Sequence, residues 1–265
     1  MINGRAVPGV RGAEMTFRMA VAGKGGTGKT TFSTLMVRYL VEKGKTPVLA
    51  IDADPNSCLG AMLGTDQCQT IGDLREELLR DKDDLPAGIS KPQYLEMKIR
   101  TAMAEEDDFD LLVMGRPEGT GCYCYVNSVL RTFMDNLGEG YAYVVMDNEA
   151  GLEHLSRRTT NDVDVMFLIS DPSRIGIESA ARVRELALEM KLNVKRFHLV
   201  VSRATDVEVL RPIAEEFGFT EVNTMPMDPK LAEASLQGIS LMGLDSRARS
   251  YRAVQDIAKR HVPGI

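Results

Sequence analysis

No stretch of this sequence stays apolar for the length that a membrane-spanning helix needs. Residues Met1 to Glu14 mix Gly, Arg, Pro and Val without an apolar centre, which is not the pattern of a secretory signal. A surplus of positive charge is missing too. There are 32 Lys and Arg against 38 Asp and Glu, a net charge of −6. Proteins that track along nucleic acid carry a basic face, so the acidic balance counts against a nucleic-acid partner. Cysteine is scarce, with four residues: Cys58, Cys68, Cys122 and Cys124. Without an export signal a reducing, cytoplasmic setting is expected, and a disulfide framework is not. Histidine is scarcer still, and none of His154, His198 and His261 is spaced with another as a metal pair. What remains is ordinary globular composition, 44% hydrophobic and 26% charged over 265 residues, within reach of one large α/β unit.

Short apolar runs alternate with longer amphipathic ones. Phe17 to Val21, Thr46 to Ile51, Leu111 to Met114, Tyr143 to Met146, Val165 to Ile169, Phe197 to Val201 and Val222 to Met225 read as strands. Thr30 to Lys43, Val126 to Leu137, Ile177 to Leu192 and Leu210 to Phe217 read as helices, the last with Pro212 in its first turn. Alternation of this kind predicts a mostly parallel central sheet flanked by helices on both faces. Residues 81 to 108 are polar and charged and read as a surface insertion or helical excursion. A final helix around Ser246 to Arg260 carries Arg247, Arg249, Arg252, Lys259 and Arg260 as a solvated basic face. Against a membrane-docking helix, it sets only Ala248, Tyr251, Val254 and Ile257 opposite those charges. Residues 1–15 are expected to be a poorly ordered extension and 16–265 a single domain.

Gly23-Lys24-Gly25-Gly26-Thr27-Gly28-Lys29-Thr30 fills every defining position of a P-loop, between a predicted strand and a predicted helix. Glycines let backbone N–H groups turn toward phosphate oxygens, and the helix N-terminus adds partial positive charge. Lys29 is expected to reach the β and γ phosphates and the Thr30 hydroxyl to ligand Mg²⁺, with Thr31 beside it completing the nucleotide-binding set. Asp147, in Asp147-Asn148-Glu149-Ala150-Gly151, ends an apolar strand, the arrangement that places a carboxylate near the metal.

Lys24, a second lysine inside the loop, resembles the deviant P-loop of the family that includes the nitrogenase iron protein, the cell-division regulator MinD and the plasmid-partition ATPases. The resemblance implies that Lys24 reaches a partner's nucleotide in a homodimer loaded by ATP. Asp52-Ala53-Asp54-Pro55-Asn56 is similar to the first switch of that family. By that likeness Asp54 positions or deprotonates the attacking water and Asp52 lies near Mg²⁺. Ser202-Arg203-Ala204-Thr205 lacks an Asp that could pair with a guanine edge, so ATP/ADP is the expected nucleotide, with Arg203 beside it. Pro226-Met227-Asp228 resembles the family's loop that touches adenine through backbone atoms.

Cys122-Tyr123-Cys124 follows a Pro and three glycines. On an extended segment, residues i and i+2 point the same way, so two thiolates could share one ion. A soft-metal site takes four ligands, and a two-fold dimer would supply the other two. Two incidental cysteines, an interfacial iron–sulfur cluster and a redox disulfide are the other readings of the pair. Cys58 and Cys68 read as structural. Together with Asp147 to Arg158, the segment Gly115 to Arg131 resembles the CooC-type accessory ATPases of carbon monoxide dehydrogenase and acetyl-CoA synthase maturation. The resemblance implies Ni²⁺ or Zn²⁺ held by Cys122 and Cys124 across the dimer, and nickel delivery to that client. It also implies ATP hydrolysis, which should be slow without a partner. A spatial-positioning ATPase of the MinD or partition kind and a redox ATPase with a bridging cluster are the rival readings. Neither a nucleic-acid partner nor stable membrane association is expected.

Overall fold

Continuous apolar runs pair as parallel strands here because helices close both faces of the sheet they build. The computed structural model describes residues 16–65, 69–80, 88–115, 140–149, 152 and 162–265. The strands are β1 (Phe17–Gly23), β2 (Val48–Ala53), β3 (Ala104–Glu105), β4 (Phe109–Val113), β5 (Tyr143–Asn148), β6 (Asp162–Val163), β7 (Val165–Ser170), β8 (Asn193–Val194), β9 (Phe197–Ser202) and β10 (Val222–Met225). The helices among the described residues are α1 (Lys29–Glu42), α2 (Leu59–Leu63), α3 (Ile71–Arg80), α4 (Lys91–Ala102), α5 (Arg174–Glu189), α6 (Val207–Glu216), α7 (Pro229–Gln237) and α8 (Arg249–His261).

Eight strands form one sheet in the order β10-β9-β7-β1-β5-β2-β4-β3. All neighbours are parallel except β3, which lies antiparallel on β4 at the edge. Strands β6 and β8 make a separate short parallel pair. The period-2 alternation of the strands sorts the core into two halves. Met19, Val21, Val145 and Phe167 face one side and pack with Phe32, Leu35, Met36 and Leu40 of α1 and Tyr251, Val254 and Ile257 of α8. Ala20, Ala22, Met146 and Leu168 face the other, against Leu74 of α3, Leu95 and Ile99 of α4, Ile177 and Ala180 of α5, and Leu210 of α6. With β1 between β5 and β7 at the centre, the loop leaving β1 opens at the carboxyl edge of the sheet, where doubly wound folds bind ligands.

The mostly parallel sheet is as the sequence predicts, and the differences lie at the ends of elements. β2 starts at Val48 because Pro47 has no N–H for the ladder. β5 runs on through Asp147 and Asn148, so both residues belong to the strand rather than to the loop after it. Asp206 caps α6 by accepting from Glu208 and Val209 N–H, which moves the helix start upstream and leaves Pro212 inside the helix rather than in its first turn. Within 81–108, the helical excursion is α4. It opens on a capping box between Ser90 and Gln93, buries Leu95, Ile99 and Ala102, and joins α3 through an ion pair of 2.6 Å between Lys98 and Glu77. The chain then adds β3 to the sheet edge, which the polar sequence did not suggest. The helix expected over Val126 to Leu137, the extension 1–15, Cys68, and the pair Cys122 and Cys124 lie outside the described residues.

Candidate nucleotide site

Gly23 ends β1 at φ 143°, and a Cβ built there would stand 2.2 Å from the Ile169 carbonyl oxygen of β7. Only glycine allows the two strands to close this tightly as the loop leaves. Lys24, Gly25 and Gly26 are exposed, and side-chain space at Gly25 and Gly26 is open. Thr27 tightens the turn, its hydroxyl donating to the Lys24 carbonyl at 2.8 Å. Lys29 is buried beneath the loop, and its ammonium donates to the same carbonyl at 3.4 Å. Gly28, at φ 95°, occupies the N-cap of α1. No side chain caps that terminus, so its partial positive charge faces the loop cavity. Thr30 and Thr31 follow in the first turn, half-buried.

Two carboxylates stand below this loop. Asp52 of β2 and Asp147 of β5 are register partners, and both are sealed from solvent. Asp52 accepts from the N–H groups of Leu59 at 2.8 Å and Asp54 at 3.1 Å. Burial pushes its carboxyl up to about 7, with the neighbouring Asp147 adding to the rise and the two N–H groups opposing it. Asp147 accepts from the Ser33 hydroxyl at 3.0 Å. Burial raises it to about 6, while the nearby Thr30 and Ser33 hydroxyls and the charge of Lys29 act the other way. Its second oxygen, Oδ2, is buried without a partner. An orphaned carboxylate oxygen beside the first turn of α1 is a fitting place for a water-ligated Mg²⁺, since a dication would relieve both the repulsion and the missing bond. Asp54 is half-buried, its carboxylate accepting from the N–H and side-chain amide of Asn56, both at 2.9 Å.

The late loops close the other side. Arg203 takes the left-handed conformation, φ 57°, and donates to the Gly26 carbonyl at 2.9 Å. The positive charges of Lys24 and Arg203 both bear on Asp171, which places the three at one mouth of the site. Pro226 and Met227 line the loop after β10, with Met227 exposed. The Asp228 side chain turns inward. Its carboxylate accepts from Lys230 N–H and from the N–H and hydroxyl of Ser250, tying α7 to α8.

The fold therefore gathers Lys24 to Thr31, Asp52, Asp54, Asp147 and Arg203 at the carboxyl edge of the sheet. It also gives parts to residues that the motif readings left without one. Ser33 holds Asp147, and no motif position marks it. Asn148 donates to the Val21 and Met146 carbonyls while its own Oδ1 is buried without a partner, and the Ser202 hydroxyl is likewise orphaned. Buried polar atoms left unsatisfied at the carboxyl edge of a sheet are groups that a bound water, ion or ligand would satisfy. Two readings are corrected. Cys58 is exposed at the start of α2 with its thiol 3.6 Å from the Asn56 carbonyl, so it packs no core. His198 and His261, unpaired in sequence, stack with ring centroids 3.7 Å apart. No described helix is long and apolar enough to cross a membrane.

Comparison with known proteins gives the same outline. Residues 19–241 match the CobQ/CobB/MinD/ParA nucleotide binding domain. An uncharacterised ATP-binding protein of Methanocaldococcus jannaschii is 44% identical, over 91% of this chain and 97% of its own length. The carbon monoxide dehydrogenase accessory protein CooC of Rhodospirillum rubrum is 27% identical, over 88% of this chain and 92% of its own. Among solved structures, the cell division ATPase MinD of Pyrococcus furiosus superposes with a TM-score of 0.67 at 20% identity, covering 92% of this chain and 98% of that one. By the match over residues 19–241 and the relative 44% identical along nearly its whole length, this chain belongs to the CobQ/CobB/MinD/ParA family of nucleotide-binding ATPases.

Proposed function

We propose that this protein is an ATP-dependent dimerising switch that handles nickel or zinc through Cys122 and Cys124 and assists metal insertion into a carbon monoxide dehydrogenase or acetyl-CoA synthase. The observation that carries the metal half is the Cys-x-Cys pair itself, in a chain 27% identical to a CooC protein along nearly its whole length.

The nucleotide half follows from the cavity. Gly25, Gly26, Thr27 and Gly28 direct backbone N–H groups at the β and γ phosphates, and Lys29 leaves the Lys24 carbonyl to neutralise them. Thr30, Asp52 and Asp147 would hold Mg²⁺, which when bound would screen the phosphate charge. Asp54 turns from Asn56 toward a water placed in line with the γ-phosphorus. The water oxygen bonds to phosphorus as the bond to the β–γ bridging oxygen breaks, and its proton passes to Asp54 or to solvent. The exposure of Lys24 supports a role in which it meets the nucleotide of a second copy and stabilises the charge that builds on the leaving oxygen. Arg203 braces the loop while Pro226 and Met227 form the adenine side.

A dimer closed over ATP brings two Cys-x-Cys pairs to one axis, four thiolates for one ion. Metal affinity and nucleotide state are then linked, each changing the other by the same factor. The apolar face of α8 speaks against membrane positioning, because Tyr251, Val254, Ile257 and Ala258 are already spent in the core. Equilibrium dialysis with Ni²⁺ and Zn²⁺ in ligand-free, ADP and slowly hydrolysed ATP forms tests the reading. One metal per dimer, shifted by nucleotide and lost in Cys122→Ala/Cys124→Ala, is expected. Equal affinity in every nucleotide state, or binding indifferent to the cysteines, refutes it.

A further inference from the structure

At the amino edge of the sheet, opposite the nucleotide cavity, three potential ligands converge from distant parts of the chain. His198 lies near the start of β9, Glu221 just before β10, and His261 ends α8. The ligand atoms of the three lie within 4.8 Å of one another. Glu221 is the hub. One of its oxygens stands 3.3 Å from His261 Nε2 and the other 3.8 Å from His198 Nδ1. A tetrahedral zinc site with bonds of about 2.0–2.1 Å sets its ligand atoms about 3.3–3.4 Å apart. The Glu221–His261 pair already has that spacing, while the two imidazoles, stacked with centroids 3.7 Å apart, must turn from each other for both to face one ion.

The surroundings are built rather than incidental. His261 is buried, and His198 is largely so. Asn223, buried in β10, donates its amide to the Leu199 carbonyl at 3.1 Å, which turns its Oδ1 to within 3.3 Å of His261 Nε2. His198 faces Glu221 with Nδ1, and its buried Nε2, on the far side of the ring, has no hydrogen-bond partner. Arg260 holds Glu221 at 3.2 Å, and Arg196 donates to the His261 carbonyl at 3.1 Å. These contacts fix the carboxylate and the end of α8, as outer partners do around metal ligands, although their charge lowers affinity for a cation.

We propose that His198, Glu221 and His261 bind a divalent transition ion, zinc above all, with Asn223 Oδ1 or a water in the fourth position. Two imidazoles and one carboxylate suit zinc and its neighbours and not the hard cation of the nucleotide site. As the ion binds, the ring proton that His261 Nε2 shares with Glu221 and Asn223 is exchanged through solvent to Nδ1, so that the neutral imidazole presents Nε2 to the ion. The bound ion fastens α8 to β9 and β10. This site is independent of the cysteine pair and of nucleotide.

Zinc binding is measured by equilibrium dialysis on the full chain carrying Cys122→Ala/Cys124→Ala, alone and with either His198→Gln or Glu221→Gln added, and thermal unfolding is followed with and without zinc. One zinc per chain is expected in the cysteine variant, with affinity falling at least about tenfold on either further substitution. The zinc-dependent rise in Tm should vanish with it. Glu221 is partly exposed, so Glu221→Gln keeps the test decisive if His198→Gln fails to fold. Absence of zinc from the cysteine variant, or zinc binding and Tm rise unchanged by Glu221→Gln, overturns the proposal.

Discussion

Asp52 and Asp147 sit side by side on adjacent parallel strands, both out of reach of water, with only Asp52 fully hydrogen-bonded. Two buried carboxylates in one place are costly unless a cation joins them. The ligand-free site thus holds unspent electrostatic energy at the point where Mg-nucleotide is proposed to bind, and ligand binding should stabilise this fold more than its contact area alone suggests.

Ser33 is the lever for testing this. Its hydroxyl at 3.0 Å is the hydrogen bond that keeps Asp147 Oδ1 satisfied from within α1. Ser33→Ala should lower the stability of the ligand-free protein by about 1–3 kcal/mol. Saturating Mg-ADP should recover part of that loss, because a cation near the carboxylate replaces the missing donor. Urea unfolding with and without Mg-ADP reads both effects, and a loss equal in the two conditions would detach Ser33 from the metal.

Gly23 makes a sharper prediction about the fold. Its Cβ would meet the Ile169 carbonyl at 2.2 Å with φ at 143°, so strand β7 must shift or the loop must move. Gly23→Ala should cost about 3 kcal/mol or more in urea unfolding. Gly25→Ala, with open space around it, should leave stability within about 1 kcal/mol and act on nucleotide affinity instead. Similar stability losses in both variants would contradict this division.

The contrast between these glycines explains what the sequence could and could not disclose. The P-loop was legible because its chemistry is local, eight consecutive residues between a strand and a helix. Asp147 was legible because it ends an apolar run. Ser33 and Asn148 were not, since their roles exist only once β5 is in register with β1 and α1 lies across it. The pairing of His198 with His261 was invisible for the same reason, as the sheet and α8 must close before the rings meet. Pro212 misled because propensity placed the helix start near it, whereas the Asp206 cap sets the start earlier. Edge strand β3 drew no signal, since two half-exposed residues carry no alternation.

Arg203 ties the late loop to the P-loop through the Gly26 carbonyl at 2.9 Å. Arg203→Ala removes that brace from an exposed position, so the cost to the fold should be small. ATP affinity measured by calorimetry should weaken by about fivefold, near 1 kcal/mol. An unchanged affinity would confine Arg203 to a surface contact, and a loss of folding would make it structural.

Lys24 separates binding from switching. Lys24 is exposed, while Lys29 is buried under the loop and points at the carbonyl of Lys24 itself. The two lysines of one loop therefore lie in different surroundings, one buried and one exposed. Lys29→Ala should abolish ATP binding in the monomer. Lys24→Ala should leave ADP affinity within about twofold, since one exposed charge at that distance is screened. It should still prevent the ATP-loaded dimer, and turnover should fall by about 100-fold or more, the scale of losing a charge that acts only in the transition state. Light scattering with a slowly hydrolysed ATP analogue reads the dimer, and phosphate release reads turnover. A Lys24→Ala protein that dimerises and hydrolyses normally would leave the loop as an ordinary P-loop. The linkage between ATP and the cysteine site would then have no physical carrier.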